Sequence, residues 1–352
     1  MPRTRPATTR PAALALALAG VIGLTTVACG APAEGAHAPA AGGARAGYPV
    51  TLENCGRTTT YREAPHRVVV MNGASVAEVS SLLALGLGDR VVANAQSYGR
   101  SEVEGRAEAI AALPARGIQQ GGAADIPRET MLGLRPDTVL STTSYGFAAD
   151  NGFATRDDLA SIGANTYISP AGCDDNPSRM RIEDSYRLLT DLGRIFHAGD
   201  RAQRLIAASR KKIDAVAARV KVRERPRVMV VFSNMSMGSN DFSAIAANGI
   251  WNDILRRAGG SNAFSSATRN TFADLSKEKV ATESIDALVV ISYQDRDPDG
   301  YARKLLKQFP QWPAARKHRY LVLSDSMYLG PSNDIAVERI ARMLHPDAFP
   351  AR

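Results

Sequence analysis

Gly73-Ala74-Ser75-Val76-Ala77 is the stretch of this 352-residue chain that comes nearest to a catalytic signature. A strand-like run precedes it and a helix-like run follows, the setting of the GxSxG nucleophile elbow. Ala77 stands where that tight turn needs its last glycine, and a base would have to come from His197, His318 or His345, far along the chain. A serine hydrolase using Ser75 is therefore the weakest reading of these residues, and no enzyme is expected. Gly86-Leu87-Gly88-Asp89-Arg90-Val91 lacks the third glycine of a dinucleotide loop, and no GxxxxGK[ST] phosphate loop occurs. Of the five histidines, His37 lies in an Ala/Gly/Pro segment, His66 stands before a strand, and the others are isolated from Cys or carboxylate clusters. No bound metal and no resident cofactor is expected.

Two other patterns carry chemistry. Glu129 is followed eight residues later by Asp137, and Glu278 eight residues later by Asp286, each Glu opening a short helix and each Asp a strand. The second pattern lies after the strands, where parallel α/β sheets collect ligands. Those positions hold Asn72 and Ser75; Tyr98 and Arg100; Tyr145; Asn234, Met235 and Met237; Tyr293 and Arg296; and Met327 and Tyr328, with serines interspersed. Apolar bodies with a few fixed donors suit a large ligand that has flat or apolar parts.

The elements that must position these residues follow from hydrophobic patterning. Seven short runs rich in Val, Ile and Leu predict buried strands at 67–71, 90–94, 137–141, 165–169, 227–232, 286–291 and 319–323. Amphipathic stretches such as Val76–Leu85 and Trp251–Arg257 separate most of them, which implies parallel sheets covered on both faces. The interval 182–222 has no strand signal. Within it Ala202, Leu205, Ile206, Ser209, Ile213, Val216 and Val220 form an apolar stripe at spacings of three and four. This predicts a helix over 201–221 of about 30 Å, with Asp200 as N-cap and Arg210-Lys211-Lys212 on a solvated face. It either joins two lobes or packs inside one domain. Lying between the two Glu/Asp patterns, it favours an α/β protein of two parallel-sheet lobes, 47–181 and 223–352, joined by a long backbone helix with a ligand cleft between them.

The formal charge of +8 comes from 43 basic and 35 acidic residues, and arginine far outnumbers lysine. Part of it sits at the start, where Arg3, Arg5 and Arg10 precede an uncharged apolar run from Ala12 to Ala28, the layout of a signal peptide over 1–28. Its end, Thr26-Val27-Ala28-Cys29-Gly30, resembles the lipobox of bacterial lipoproteins, with Thr26 where leucine is usual. This implies lipidation at Cys29; ordinary secretion and a retained membrane anchor are the alternatives. Removing 1–28 takes away three arginines and no acid, which lowers the charge to +5. Residues through 46, almost wholly Ala, Gly and Pro, read as a flexible tether. The dispersed arginines and the export signal exclude nucleic acid as a partner. In an oxidising compartment the remaining Cys55 and Cys173 form an even pair, read as one disulfide; a catalytic or metal role is the rival, without a CxxC or nearby His to support it.

From Tyr48 to His345 the chain resembles the substrate-binding proteins of bacterial ABC importers for iron-siderophore, haem and cobalamin. The markers are Asn54-Cys55-Gly56, Ala64-Pro65-His66-Arg67-Val68-Val69, Glu78, 83–92, Leu134-Arg135-Pro136-Asp137, 192–196, Ala258-Gly259-Gly260-Ser261-Asn262 and Leu275-Ser276-Lys277-Glu278. The resemblance implies a rigid interlobe helix, a monomer lipid-anchored outside the cytoplasmic membrane, and partnership with a permease and its ATPase. It implies that Glu129 and Glu278 dock into arginine pockets of the permease. By family position Tyr98 and Phe272 are walls on opposite lobes, with Tyr328 and Asp325 on the last strand loop. Arg100, Arg269 and Arg296 lean the ligand toward an anionic ferric siderophore; a cobamide, haem or another cofactor-like molecule such as a deazaflavin precursor stays open.

Overall fold

The computed structural model describes residues 47–72, 76–97, 101–118, 125–170, 172–173, 179–233, 235, 240–292, 295–324 and 330–350. Residues 1–46, with the expected leader, Cys29 and tether, lie outside them.

The chain opens with a hairpin, β1 (Val50–Asn54) and β2 (Arg57–Tyr61), whose two-residue turn is Cys55-Gly56. Both turn residues have positive φ, 51° and 71°, as a type I′ turn requires. Then come β3 (Val68–Val70), α1 (Ala77–Ala84), β4 (Val91–Asn94), α2 (Arg106–Ala111), α3 (Arg128–Gly133), β5 (Thr138–Ser141), α4 (Arg156–Ser161) and β6 (Asn165–Ile168). These strands form one sheet in the order β4-β3-β5-β6, all parallel. Two helices follow, α5 (Ile182–Ile195) and α6 (Gly199–Val220), and then the second lobe. It contains β7 (Arg227–Phe232), β8 (Phe242–Ile245), α7 (Ile250–Arg257), β9 (Ser261–Asn262), β10 (Phe272–Leu275), α8 (Lys277–Ala281), β11 (Ala287–Ser292), α9 (Pro298–Gln308), α10 (Pro313–Arg316), β12 (Tyr320–Ser324) and α11 (Asn333–Leu344).

All seven expected strands are present: β3, β5, β7 and β11 lie inside the sheets and are buried along nearly their whole length, while β4, β6 and β12 lie at sheet edges. The second sheet also carries strands that the apolar runs do not announce. Its order is β10-β8-β7-β11-β12 with β9 on β7; β8 runs antiparallel to β7 and β10 antiparallel to β8. β10 lies at the edge and alternates buried Ala273 and Leu275 with exposed Asp274, so it has no continuous apolar run.

The Glu/Asp repetition has a structural cause. In the first lobe the backbone N–H groups of His66 and Arg67 donate to Asp137 Oδ2 at 2.6 and 2.9 Å, and the Arg67 guanidinium donates to the carbonyls of Leu134 and Arg135. In the second, the Arg227 N–H donates to Asp286 Oδ2 at 2.8 Å, and its guanidinium reaches the Ser284 carbonyl and the Glu283 carboxylate. Each lobe thus pins its first central strand to the next with the same Arg/Asp lock. The short helix carrying Glu129 or Glu278 runs into that lock.

The helix α6 is 22 residues long, about 33 Å. It buries Ala202, Ile206, Ser209, Ile213, Val216 and Val220, as the stripe predicts. Near its start the Arg201 guanidinium lies against Gly86 at the end of α1; near its end Val220 lies against Gly259 of the second lobe. The helix therefore spans both lobes. Two details differ from expectation. Asp200 sits in the first turn and Ala198 is the N-cap, because the helix begins at Gly199. Lys212 is not merely solvated: its ammonium pairs with Asp334 and Glu338 of α11 at 3.2 and 3.0 Å, while Arg210 stacks over the Tyr186 ring. Those acids follow α6 by more than a hundred residues, so no local pattern reveals them.

A second crossing runs through α5. Its first N–H donates to Asp253 and Ser185 donates to Asn333 in the second lobe, whereas Asp191 accepts from Tyr167 of β6 and the Ile195 carbonyl from Tyr48. Cys55 and Cys173 are joined, Cα atoms 5.1 Å apart, tying the hairpin turn to the segment after β6. Asn54 exchanges two 2.8 Å hydrogen bonds with Ile168 beside it, and Arg156 donates to the carbonyls of Asn54 and Cys55. Replacing both cysteines by serine is expected to lower the unfolding free energy by about 3 kcal/mol. The check is a lower urea midpoint, alongside an exported protein two hydrogens lighter than its reduced form.

Candidate functional site

The carboxyl ends of the first sheet are organised by one buried carboxylate. Glu78, in the first turn of α1, is fully buried. Its Oε2 accepts from Gln96 Nε2 at 2.6 Å and Thr142 Oγ1 at 2.9 Å, and its Oε1 accepts from the Ser169 hydroxyl. Gln96, Thr142 and Ser169 stand just after β4, β5 and β6, so one side chain gathers three strand ends. Gln96 is itself held by Asn94 and accepts the Val79 N–H. Sequence reasoning missed this network. Its signals were an acid in the first turn of a helix that follows a buried strand, and the place of Glu78 among the family markers.

Five members of the expected ligand set are among the described residues. Asn72, after β3, is buried, and its N–H donates to Asp125 at 3.1 Å. Tyr145, after β5, is 45% exposed and packs its ring edge-on to Phe153. On the second lobe Met235 follows β7 half-buried, Arg296 follows β11 exposed, and Phe272 is half-buried on β10 with its ring edge-on to Phe232. Ser75, Tyr98, Arg100, Asn234, Tyr293, Asp325 and Tyr328 lie outside the described residues. Asp125, which sequence reasoning did not single out, accepts from both Asn72 and Ile126 and crowds Gly146, the neighbour of Tyr145.

The ends of the two sheets face one another. Gly330, after β12, would place a Cβ 3.3 Å from the Ala77 Cα at the start of α1, and its N–H donates to Ser185 at 3.1 Å. Glu102, beyond β4, reaches Ser324 at the end of β12. The segments that follow strands in one lobe thus meet those that follow strands in the other, with α5 and α6 joining the lobes.

Glu129 and Glu278 occupy matching places, each the second residue of a short helix, each exposed. The helix of Glu278 is capped by Ser276, whose hydroxyl accepts the Lys279 N–H. Hydrogen bonds from its own N–H and from the Ser276 hydroxyl hold the Glu278 carboxyl below the usual range, so it is anionic at neutral pH. The described histidines stand elsewhere: His66 and His318 precede strands, His197 follows α5, and His345 bonds the Gly259 carbonyl.

Residues 68–326 match the family described as periplasmic binding protein. No curated protein matches the chain. Among solved structures, an ABC-type Fe3+-hydroxamate transport system protein from Saccharomonospora viridis DSM 43017 is 23% identical, with a TM-score of 0.66, over 84% of this chain and 99% of its own. A periplasmic haem-binding protein from Pseudomonas aeruginosa is 22% identical, with a TM-score of 0.58, over 82% and 95%. The Helicobacter pylori protein CeuE with Ni(II) bound is 17% identical, with a TM-score of 0.62, over 85% and 90%. At these identities the structures share its fold.

Proposed function

The chain belongs to the periplasmic binding protein family, the extracytoplasmic solute receptors of ABC import systems, and from that premise we propose that it captures a ferric siderophore between its lobes and delivers it to a permease. The observation that carries this reading is the opposition of two sets of strand ends across a chain-spanning helix, where a ligand can touch both lobes at once. Exposed Arg269 and Arg296 favour an anionic chelate, since guanidinium groups pair with carboxylate and hydroxamate oxygens in a fixed fork. The candidate ligand residues are Asn72, Ser75, Tyr98, Arg100, Tyr145, Asn234, Met235, Phe272, Tyr293, Arg296, Asp325 and Tyr328. Residues 29–46 tether the receptor, with Cys29 lipidated, to the outer face of the membrane, and it acts as a monomer.

Closure on the ligand is small, because α5 and α6 both cross between the lobes and oppose a wide hinge. A hydrolase built on Ser75 is the weaker reading, because Ala77 replaces the last glycine of the elbow and the candidate bases lie far along the chain. The relatives named for iron-hydroxamate, haem and nickel make the ligand a matter for direct titration.

Trp251 and Trp312 are both fully buried, so their fluorescence reports on the cores of the second lobe. Calorimetry with ferric hydroxamate and catecholate siderophores, cobalamin and haemin is the direct assay. A ferric siderophore is expected to bind one to one with Kd below about 10 μM. Haemin or cobalamin binding in that range, with every siderophore failing, would replace the ligand class; turnover of a chromogenic ester would replace the receptor reading itself.

A further inference from the structure

Building on the receptor reading, we propose that Glu102 is a positioning residue, a strut that sets the separation of the two lobes across the cleft. Its backbone belongs to the first lobe and its carboxylate to the second. Oε1 accepts the Ser324 N–H at 2.6 Å, Oε2 accepts the Ser324 hydroxyl, and the Arg339 guanidinium of α11 lies 3.5 Å from Oε1. The side chain is 8% exposed. Both carboxylate oxygens are thus committed to the far lobe, in charge-assisted bonds about twice as strong as neutral ones.

The surroundings make this contact consequential. Glu102 stands at a hollow of about 780 Å³ lined by Ser101, Val103, Gly105 and the strand β12. Glu104, Glu108, Asp299 and Arg339 also line that hollow, so the lobes meet there through charged side chains as well as apolar ones. The helices α5 and α6 cross between the lobes and resist bending. A strut at a second point opposes rotation about those helices. In sequence its two ends adjoin 98–100 and 325–329, where four of the proposed ligand residues stand. A receptor held in this way keeps its ligand groups spaced before the ligand arrives, which removes part of the ordering cost of binding.

The test uses the full-length, ligand-free protein. In Glu102→Ala, hydrogen exchange at the Ser324 amide is expected to accelerate about tenfold or more, and spin labels at Asp150→Cys and Lys304→Cys, one per lobe and both at exposed positions, are expected to give a broader distance distribution. Glu102→Gln, which keeps one acceptor oxygen, falls between. Unchanged exchange overturns the proposal. Faster exchange with an unchanged distance distribution also overturns it, because the contact is then local. If Glu102→Ala does not fold, Ser324→Ala removes the hydroxyl donor, keeps the amide and carries the same readouts. A protein that binds none of the chelates ends the receptor reading, while these ligand-free measurements still decide the strut.

Discussion

Glu78→Ala lowers the unfolding free energy by about 4 kcal/mol, more than any other single substitution expected here. The residue is fully buried and its carboxylate accepts from Gln96, Thr142 and Ser169. Truncation leaves three donors without their acceptor, each at a desolvation cost of about 1–3 kcal/mol. Two effects work the other way. Removing a buried anion recovers its own desolvation cost, and the void beside alanine has polar walls that a water molecule can bridge. Because neither replaces all three bonds, the loss of the donors' partner dominates. Glu78→Gln separates the causes: it fills the space but points an amide NH2 group toward groups that are themselves donors, so a loss of about 2 kcal/mol is expected. Thermal denaturation should show the alanine variant melting lower by roughly 10 °C. A drop below about 2 °C in the alanine variant would mean that the three strand ends are held by something other than Glu78.

The same residue shows where sequence reading stops. Strands β3, β5, β7 and β11 were legible because both faces of each are buried and leave continuous apolar runs, Val68-Val69-Val70 being the plainest. The long helix was legible because its stripe repeats at helical spacing over 22 residues. Two classes of element left no such trace. The hairpin strand Arg57–Tyr61 is mostly polar and pairs with its partner beside the main sheet, so hydrophobic periodicity has nothing to register. β8 and β10 turn back antiparallel at one side of the second sheet, which no count of apolar runs distinguishes from loop.

For the site, the rule that ligands gather at carboxyl ends selects segments and does not rank the residues within them. Asn72 follows a strand, as an open cleft residue would, but lies buried against Asp125. Glu102 looked like one acid among Glu102, Glu104 and Glu108, and its partner Ser324 is 222 residues away. Long-range polar pairs of this kind arise from topology, because strand ends that meet in space need not be related by spacing in the chain.

The largest functional effect is expected from the pair at the helix starts. Glu129→Ala combined with Glu278→Ala abolishes uptake in cells that depend on this receptor, while the purified variant binds ligand with unchanged Kd. Both carboxylates are exposed, and neither takes part in a described ion pair. Substitution therefore costs little stability, in keeping with surface changes generally. What it removes is one anion from each lobe. On the proposed docking role, two separated charges entering two cationic sockets would fix the orientation of the receptor and speed its encounter with the permease, although each adds modest affinity when solvated. Loss of one leaves a rotationally loose encounter; loss of both leaves no register. The single variants are therefore expected to retain partial uptake, and replacement of either glutamate by lysine should be worse than alanine because like charges then oppose docking. Transport assays with radiolabelled iron chelate, run beside calorimetry on the same variants, distinguish the outcomes. Undiminished uptake in the double variant sinks the docking role. Lost ligand binding sinks it equally, since it would place the two carboxylates in the cleft and leave the permease contact to other residues.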